Sequence, residues 1–221
     1  MKMRLIAANW KSNKTKNEAK TWLEEASREN FPDSLEIVIF PSFTILDFVS
    51  SFVKEKGLPF KIGAQDVSPF DDGAYTGEVS ARQIKEFAEY VLIGHSERRT
   101  NFEESDDMVR NKIERAIAQE LKPIICVSKI EQMNNLNFDQ IIFAYEPIGS
   151  IGTGNPEDSN SVEATSKEIK SKTNNSQVIY GGSVDVENIR EYLGLESISG
   201  VLVGGQSLDP ANFINILKNA I

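Results

Sequence analysis

The stretch GVLVGGQSLDPANFINILKN, Gly200–Asn219, holds one structural unit from start to finish. GVLVG is apolar without alternation, as a parallel strand covered on both faces must be. Asp209-Pro210 then offers an N-cap and an N1 proline to a helix over NFINILKN. Gly204 and Gly205 stand between the two, where the strand ends.

Working outward, the same unit recurs. Near-uniform apolar runs appear at RLIAAN (Arg4–Asn9), LEIVIF (Leu35–Phe40), FKIGA (Phe60–Ala64), YVLIG (Tyr90–Gly94), KPIICV (Lys122–Val127), QIIFAY (Gln140–Tyr145) and QVIY (Gln177–Tyr180). Helical patterns lie between most of them, with start signals. Ser80 and Gln83 form a capping-box pair before QIKEFAEY, and Ser105 precedes the amphipathic DDMVRNKIERAIAQE. Further helices are expected over Asn17–Arg28, Thr44–Lys56, Asn160–Lys172 and Val186–Leu193.

Eight strands alternating with helices and no linker-like segment predict one (β/α)₈ barrel of the α/β class, a single domain over residues 1–221. A doubly wound open sheet is the alternative. One connection breaks the pattern: Ser128–Asp139 is Asn-rich in its middle and has no sustained apolar face. Parallel crossovers usually take about a dozen residues or more. The expectation is therefore eight strands with seven full outer helices, the one between strands five and six being missing or vestigial.

Bulk properties narrow the function. A net charge of −9 argues against nucleic acid or an anionic membrane as partner, since phosphate backbones are bound by clustered Lys and Arg. No apolar run reaches the roughly 18 residues of a membrane span, and the N-terminus lacks a signal-peptide pattern. The lone Cys126 excludes an intrachain disulfide, and no Cys/His cluster offers a metal site. A cytoplasmic setting is expected.

In a barrel the site forms where the strands end. Asn9-Trp10-Lys11 follows strand one, His95-Ser96-Glu97 follows strand four, and Glu146 follows strand six. Singly, each reads as a solvated loop charge or a bonded structural ring; together they fall on one face. Glycines add a second signal. IGTG (Ile151–Gly154), GGS (Gly181–Ser183) and Gly204-Gly205 end strands six, seven and eight, where backbone N–H groups can approach a phosphate.

With these residues in view, the chain resembles the triosephosphate isomerase family. The segments that match are ANWK (Ala8–Lys11), GAYTGE (Gly73–Glu78), GHSERR (Gly94–Arg99), AYEP (Ala144–Pro147), IGTG, YGGSV (Tyr180–Val184) and LVGG (Leu202–Gly205), in the family's order. The resemblance implies a TIM barrel, a triose phosphate substrate and an isomerisation through an enediolate, with no metal or organic cofactor. Glu146 would be the general base and His95 the electrophile; this family is the standard example of a neutral imidazole in that role. Asn9 and Lys11 would complete the oxyanion environment. Ser96 and Glu97 would orient Lys11 and Glu146. The phosphate would rest on backbone N–H groups of Gly152, Ser183, Gly204 and Gly205.

The resemblance further implies a homodimer, with Thr76 reaching the partner's site and Arg98 and Phe102 at the interface. Pro147–Gly154 matches the family's closing lid, which suppresses loss of phosphate from the intermediate. Two positions depart: Gly149 stands where the family usually has Trp, and Ser128-Lys129 where it usually has Gly-Glu. A phosphate-binding barrel without turnover, or an isomerase of a longer phosphosugar, would share the cradle. Cys126 is expected to pack at a strand end without chemistry.

Overall fold

In the computed structural model, which describes residues 3–134, 136, 138, 141–150 and 154–221, eight parallel strands close into a barrel. They are β1 (Arg4–Asn9), β2 (Leu35–Phe40), β3 (Phe60–Ala64), β4 (Tyr90–Ile93), β5 (Lys122–Val127), β6 (Ile142–Tyr145), β7 (Gln177–Tyr180) and β8 (Gly200–Val203). Each pairs with the next, and β1 pairs with β8 from Leu5↔Gly200 to Ala8↔Val203. An open sheet is thereby ruled out. Gln140, the expected start of the sixth strand, lies outside the described residues, and Gly94 and Gly204 follow their strands without extending them.

The strand runs are nearly uniformly apolar because both faces are covered. Leu5, Ala7, Val38, Phe40, Leu92, Ile124, Cys126 and Ala144 pack inside the ring. Their alternating neighbours, such as Ile6, Ala8, Ile37 and Ile39, point outward to the helices. Among the described residues eight α-helices surround the barrel, and all but α4 bury side chains: α1 (Lys16–Ala26), α2 (Leu46–Lys56), α3 (Ala81–Lys85), α4 (Ser96–Asn101), α5 (Asp106–Ala118), α6 (Ser159–Lys172), α7 (Ile189–Gly194) and α8 (Pro210–Asn219). Between α1, α8 and β1 the aromatic rings interlock, Trp22 lying 5.0 Å from Trp10 and 5.6 Å from Phe213. Each such fully buried side chain contributes about 1.5–3 kcal/mol of transfer free energy.

The caps act as expected. Ser80 accepts from the Gln83 amide, Ser105 from Met108 and Asp209 from Asn212. Thr15 and Glu18 form a further capping box at α1.

Two helical expectations are corrected and one unforeseen helix is added. The α3 helix stops after Lys85, because the chain must turn at Glu86–Glu89 to enter β4. The α7 helix begins only at Ile189: Asp185 accepts from the Glu187 and Asn188 amides, and Asn188 from Asp185, spending the preceding residues on a turn. The short α4 is additional; its six residues carry no buried side chain, so no apolar period announces it. In the β5–β6 link the described residues include one 3₁₀ turn, Ile130–Met133, while residues 135, 137, 139 and 140 lie outside the description. Among the described residues no helix is long and apolar enough to cross a membrane.

Candidate active site

The carboxyl ends of β1, β4, β6, β7 and β8 surround a cavity of about 340 Å³. Asn9, Lys11, His95, Glu146, Ser183, Gly204 and Gly205 all line it, so residues far apart in sequence meet as expected.

After β1 the backbone is held in an unusual shape. Lys11 is left-handed at φ +52°, a conformation that costs a β-carbon-bearing residue about 1–2 kcal/mol. Two bonds hold it there: the Lys11 amide donates to Asn9 Oδ1 at 3.0 Å, and Gln65 donates to the Lys11 carbonyl at 2.9 Å. Gln65 also donates to the Phe40 carbonyl at 2.8 Å, tying the ends of β1, β2 and β3 together. The Lys11 ammonium pairs with Glu97.

After β4, His95 is the N-cap of α4. Its Nδ1 accepts from the Glu97 amide at 3.2 Å, so the ring proton sits on Nε2. That Nε2 lies 3.3 Å from Glu146 Oε1. The other carboxylate oxygen accepts from the Ser96 amide at 3.2 Å. The Ser96 contact to Glu146 is thus made by its backbone; its buried hydroxyl has no partner among the described residues. Glu146 is only 1% exposed, and a carboxylate so placed depends on these donors to offset its desolvation.

The GGS turn has a local cause that glycine-for-phosphate reasoning overlooks. A β-carbon on Gly181 would stand 2.8 Å from Glu146 Cγ, and one on Gly182 would stand 2.1 Å from the Tyr180 hydroxyl oxygen. The first glycine makes room for Glu146 and the second for Tyr180. Beneath them Cys126 faces the barrel interior, where burial, then the neighbouring Glu146 charge, pushes its thiol pKa well up. An inert packing role follows.

Gly152 lies outside the described residues. Thr76 is exposed in the loop after β3 and does not line the cavity. Asp185, Leu202 and Gln206 line it without having been singled out from the sequence. Gln206 directly follows the Gly-Gly turn and Asp185 lies two residues beyond GGS, so their place after strands eight and seven was the available signal. Among the described residues no group of three or more His, Cys, Asp or Glu side chains is arranged to hold a metal.

A second buried cluster adjoins the first and went unforeseen. Lys112 donates to Asp66 at 2.7 Å and to Glu104 at 2.6 Å. Arg98 donates to Glu104 at 2.6 Å and approaches Asp66 at 2.9 Å. Burial pushes the Asp66 pKa up; burial pushes on Glu104 too, yet the Lys112 and Arg98 charges hold that carboxyl below its usual range. Arg98 is thus committed within the chain, with Phe102 exposed beside it. The clue in the sequence was Lys112 itself, set among Val109, Ile113 and Ala116 on the buried face of α5.

Comparison with known proteins agrees with this arrangement. The family model described as triosephosphate isomerase matches residues 4–220. Curated relatives named triosephosphate isomerase include one from Mesomycoplasma hyopneumoniae strain 232, 39% identical over 98% of this chain and 99% of the relative. One from Dictyoglomus thermophilum is 37% identical over 99% and 100%, and one from Aquifex aeolicus 36% over 97% and 98%. The first alignment takes 243 positions against a chain of 221 residues, so that relative carries residues this chain lacks.

Proposed function

The chain belongs to the triosephosphate isomerase family, and from that premise we propose how its own residues carry the reaction. That reaction, a glycolytic step, interconverts dihydroxyacetone phosphate and D-glyceraldehyde 3-phosphate, an intramolecular aldose–ketose isomerisation.

Glu146 removes the proton from the carbon next to the carbonyl and returns it to the neighbouring carbon. His95 donates from Nε2 to the substrate oxygens, which alternate between carbonyl and enediolate. Asn9, its Oδ1 already engaged by the Lys11 amide, turns its side-chain N–H toward the same oxygens, and the Lys11 ammonium supplies positive charge. Backbone N–H groups of Gly152, Ser183, Gly204 and Gly205 hold the phosphate at the far end of the cavity. The observation that carries this reading is the 3.3 Å approach of Glu146 Oε1 to His95 Nε2 at one cavity wall.

The test is a coupled steady-state assay of glyceraldehyde 3-phosphate isomerisation. Glu146→Asp withdraws the carboxylate by one methylene and is expected to lower kcat by about 10²–10³-fold. Near-normal turnover in that variant would remove Glu146 from the role of base, and no turnover by the folded parent protein would leave a phosphate-binding barrel.

One barrel domain in a cytoplasmic homodimer completes the proposal. The dimer is supported by the exposed loop around Thr76, where the exposed Phe70 and Tyr75 stack at 4.2 Å, and by the exposed Phe102. Light scattering at micromolar concentration is expected to give twice the 24.7 kDa chain mass, and a monomer would overturn the dimer.

A further inference from the structure

The turn that leaves β8 is fixed by side chains that the reaction as described does not use. Ser207, three residues past Gly204, is fully buried. Its hydroxyl donates to the Gly204 carbonyl at 2.7 Å, and its amide donates to the same oxygen at 2.8 Å. The Asn9 carbonyl stands farther from that hydroxyl, at 3.5 Å. In a planar trans peptide the carbonyl and the N–H that follows it point in opposite directions. Two donors on the Gly204 carbonyl therefore fix the direction of the Gly205 N–H, on the side away from Ser207, and Gly205 lines the cavity. Side-chain packing cannot do this, since even a β-carbon on Gly205 would meet no atom within 4 Å.

Ser207 is itself held from outside the barrel. The indole of Trp22, on α1 and 185 residues away in sequence, donates to the Ser207 carbonyl at 3.0 Å. Lys14 donates to the next carbonyl, that of Leu208, at 2.6 Å. An indole N–H can only donate, and Trp22 is 1% exposed, so its bond has to be made inside the protein. Burial alone did not dictate the acceptor. Trp10 is buried as deeply, yet its indole nitrogen has no partner among the described residues. What distinguishes Trp22 is that its ring edge meets the turn carrying Gly204 and Gly205.

We propose that Ser207, held in place by Trp22, is a positioning residue for substrate phosphate: its hydroxyl locks the Gly204–Gly205 peptide so that the Gly205 N–H is aimed before the ligand arrives. A donor fixed in advance need not be ordered on binding, and that saving appears as affinity for the phosphate group. The inference rests on the reading that places the phosphate on this turn.

The experiment measures kcat/KM on D-glyceraldehyde 3-phosphate and on D-glyceraldehyde, which lacks the phosphate, together with competitive inhibition by inorganic phosphate. Ser207→Ala keeps the amide bond to Gly204 and removes the hydroxyl. It is expected to raise KM for the phosphorylated substrate and Ki for inorganic phosphate together by about two- to tenfold, the range that one lost hydrogen bond supports. The ratio of the two kcat/KM values should fall by a similar factor. Trp22→Phe keeps an aromatic ring, removes the donor and should shift Ki and the ratio in the same direction. A serine that only stabilised the fold would lower the melting temperature and leave both readouts at the parental values. A defect passed through Asn9 to the reacting carbons would lower both kcat/KM values alike and leave their ratio unchanged. Parental Ki and ratio in either variant overturn the proposal, so Trp22→Phe decides the matter if Ser207→Ala does not fold. The two failures separate in the parent protein. Absence of competitive inhibition by inorganic phosphate there removes the phosphate from this turn and the inference with it, whereas equal inhibition of parent and Ser207→Ala removes the positioning role alone.

Discussion

Two buried polar clusters stand side by side at the carboxyl end of this barrel, and one six-residue motif supplies both. From GHSERR, His95, Ser96 and Glu97 turn toward the cavity, while Arg98 turns away to Asp66, Glu104 and Lys112. The outer cluster is closed on itself. Two acids meet two bases at 2.6–2.9 Å, and the spare Glu104 oxygen accepts from the Gly94 amide at 3.0 Å. The inner cluster is left open: the Ser96 hydroxyl has no partner among the described residues, Lys11 is in a strained backbone conformation, and the buried Glu146 faces a cavity. Satisfied polar groups stabilise a fold, whereas incompletely satisfied ones keep their bonding capacity for a ligand.

The sharpest way to break this contrast is to exchange the expected consequences. Lys112→Met leaves the buried Asp66 and Glu104 with Arg98 as their one remaining partner cation in the cluster and should cost about 3–5 kcal/mol of stability by urea unfolding. The fraction that remains folded should keep near-parental kcat. Loss of kcat with little loss of stability would place Lys112 with the catalytic cluster instead. Glu146→Asp is the mirror case. Its kinetic loss should come with a melting temperature within a few degrees of the parent, and a large drop would mean that Glu146 is chiefly structural.

Gly181→Ala sharpens the comparison at smaller scale. The new β-carbon would press on Glu146 Cγ from 2.8 Å, displacing the base by a few tenths of an ångström. Because misplacement by about 1 Å can cost 10²-fold, a loss in kcat on the order of tenfold is expected. An unaffected kcat would show that the base tolerates more freedom than its packing suggests.

The strand assignments were legible because their cause is local: a strand covered on both faces has to be mostly apolar, and all eight runs are, their few charged or polar residues such as Glu36 and Lys61 notwithstanding. Helix starts at Ser80, Ser105 and Asp209 were legible for the same reason, each being a side chain bonding an amide three residues on. The six-residue α4 was not, since it buries no side chain and leaves no apolar period. The residues around the cavity could be gathered from the sequence by their shared position at strand ends and by resemblance to a known family.

By itself, then, the sequence determined the eight strands, the barrel that their alternation with helices predicts, and the strand-end residues that carry polar chemistry. Only the tertiary structure decided which neighbours those residues meet. It divided GHSERR between a cavity and an ion-pair cluster, assigned the glycines of GGS to Glu146 and Tyr180, and brought Gln65 to the Lys11 backbone and the Ser183 hydroxyl to the Ser150 carbonyl. The physical reason is range. Propensity, capping and hydrophobic period act over a few residues along the chain, whereas these contacts join strand exits that are adjacent only once the barrel has closed.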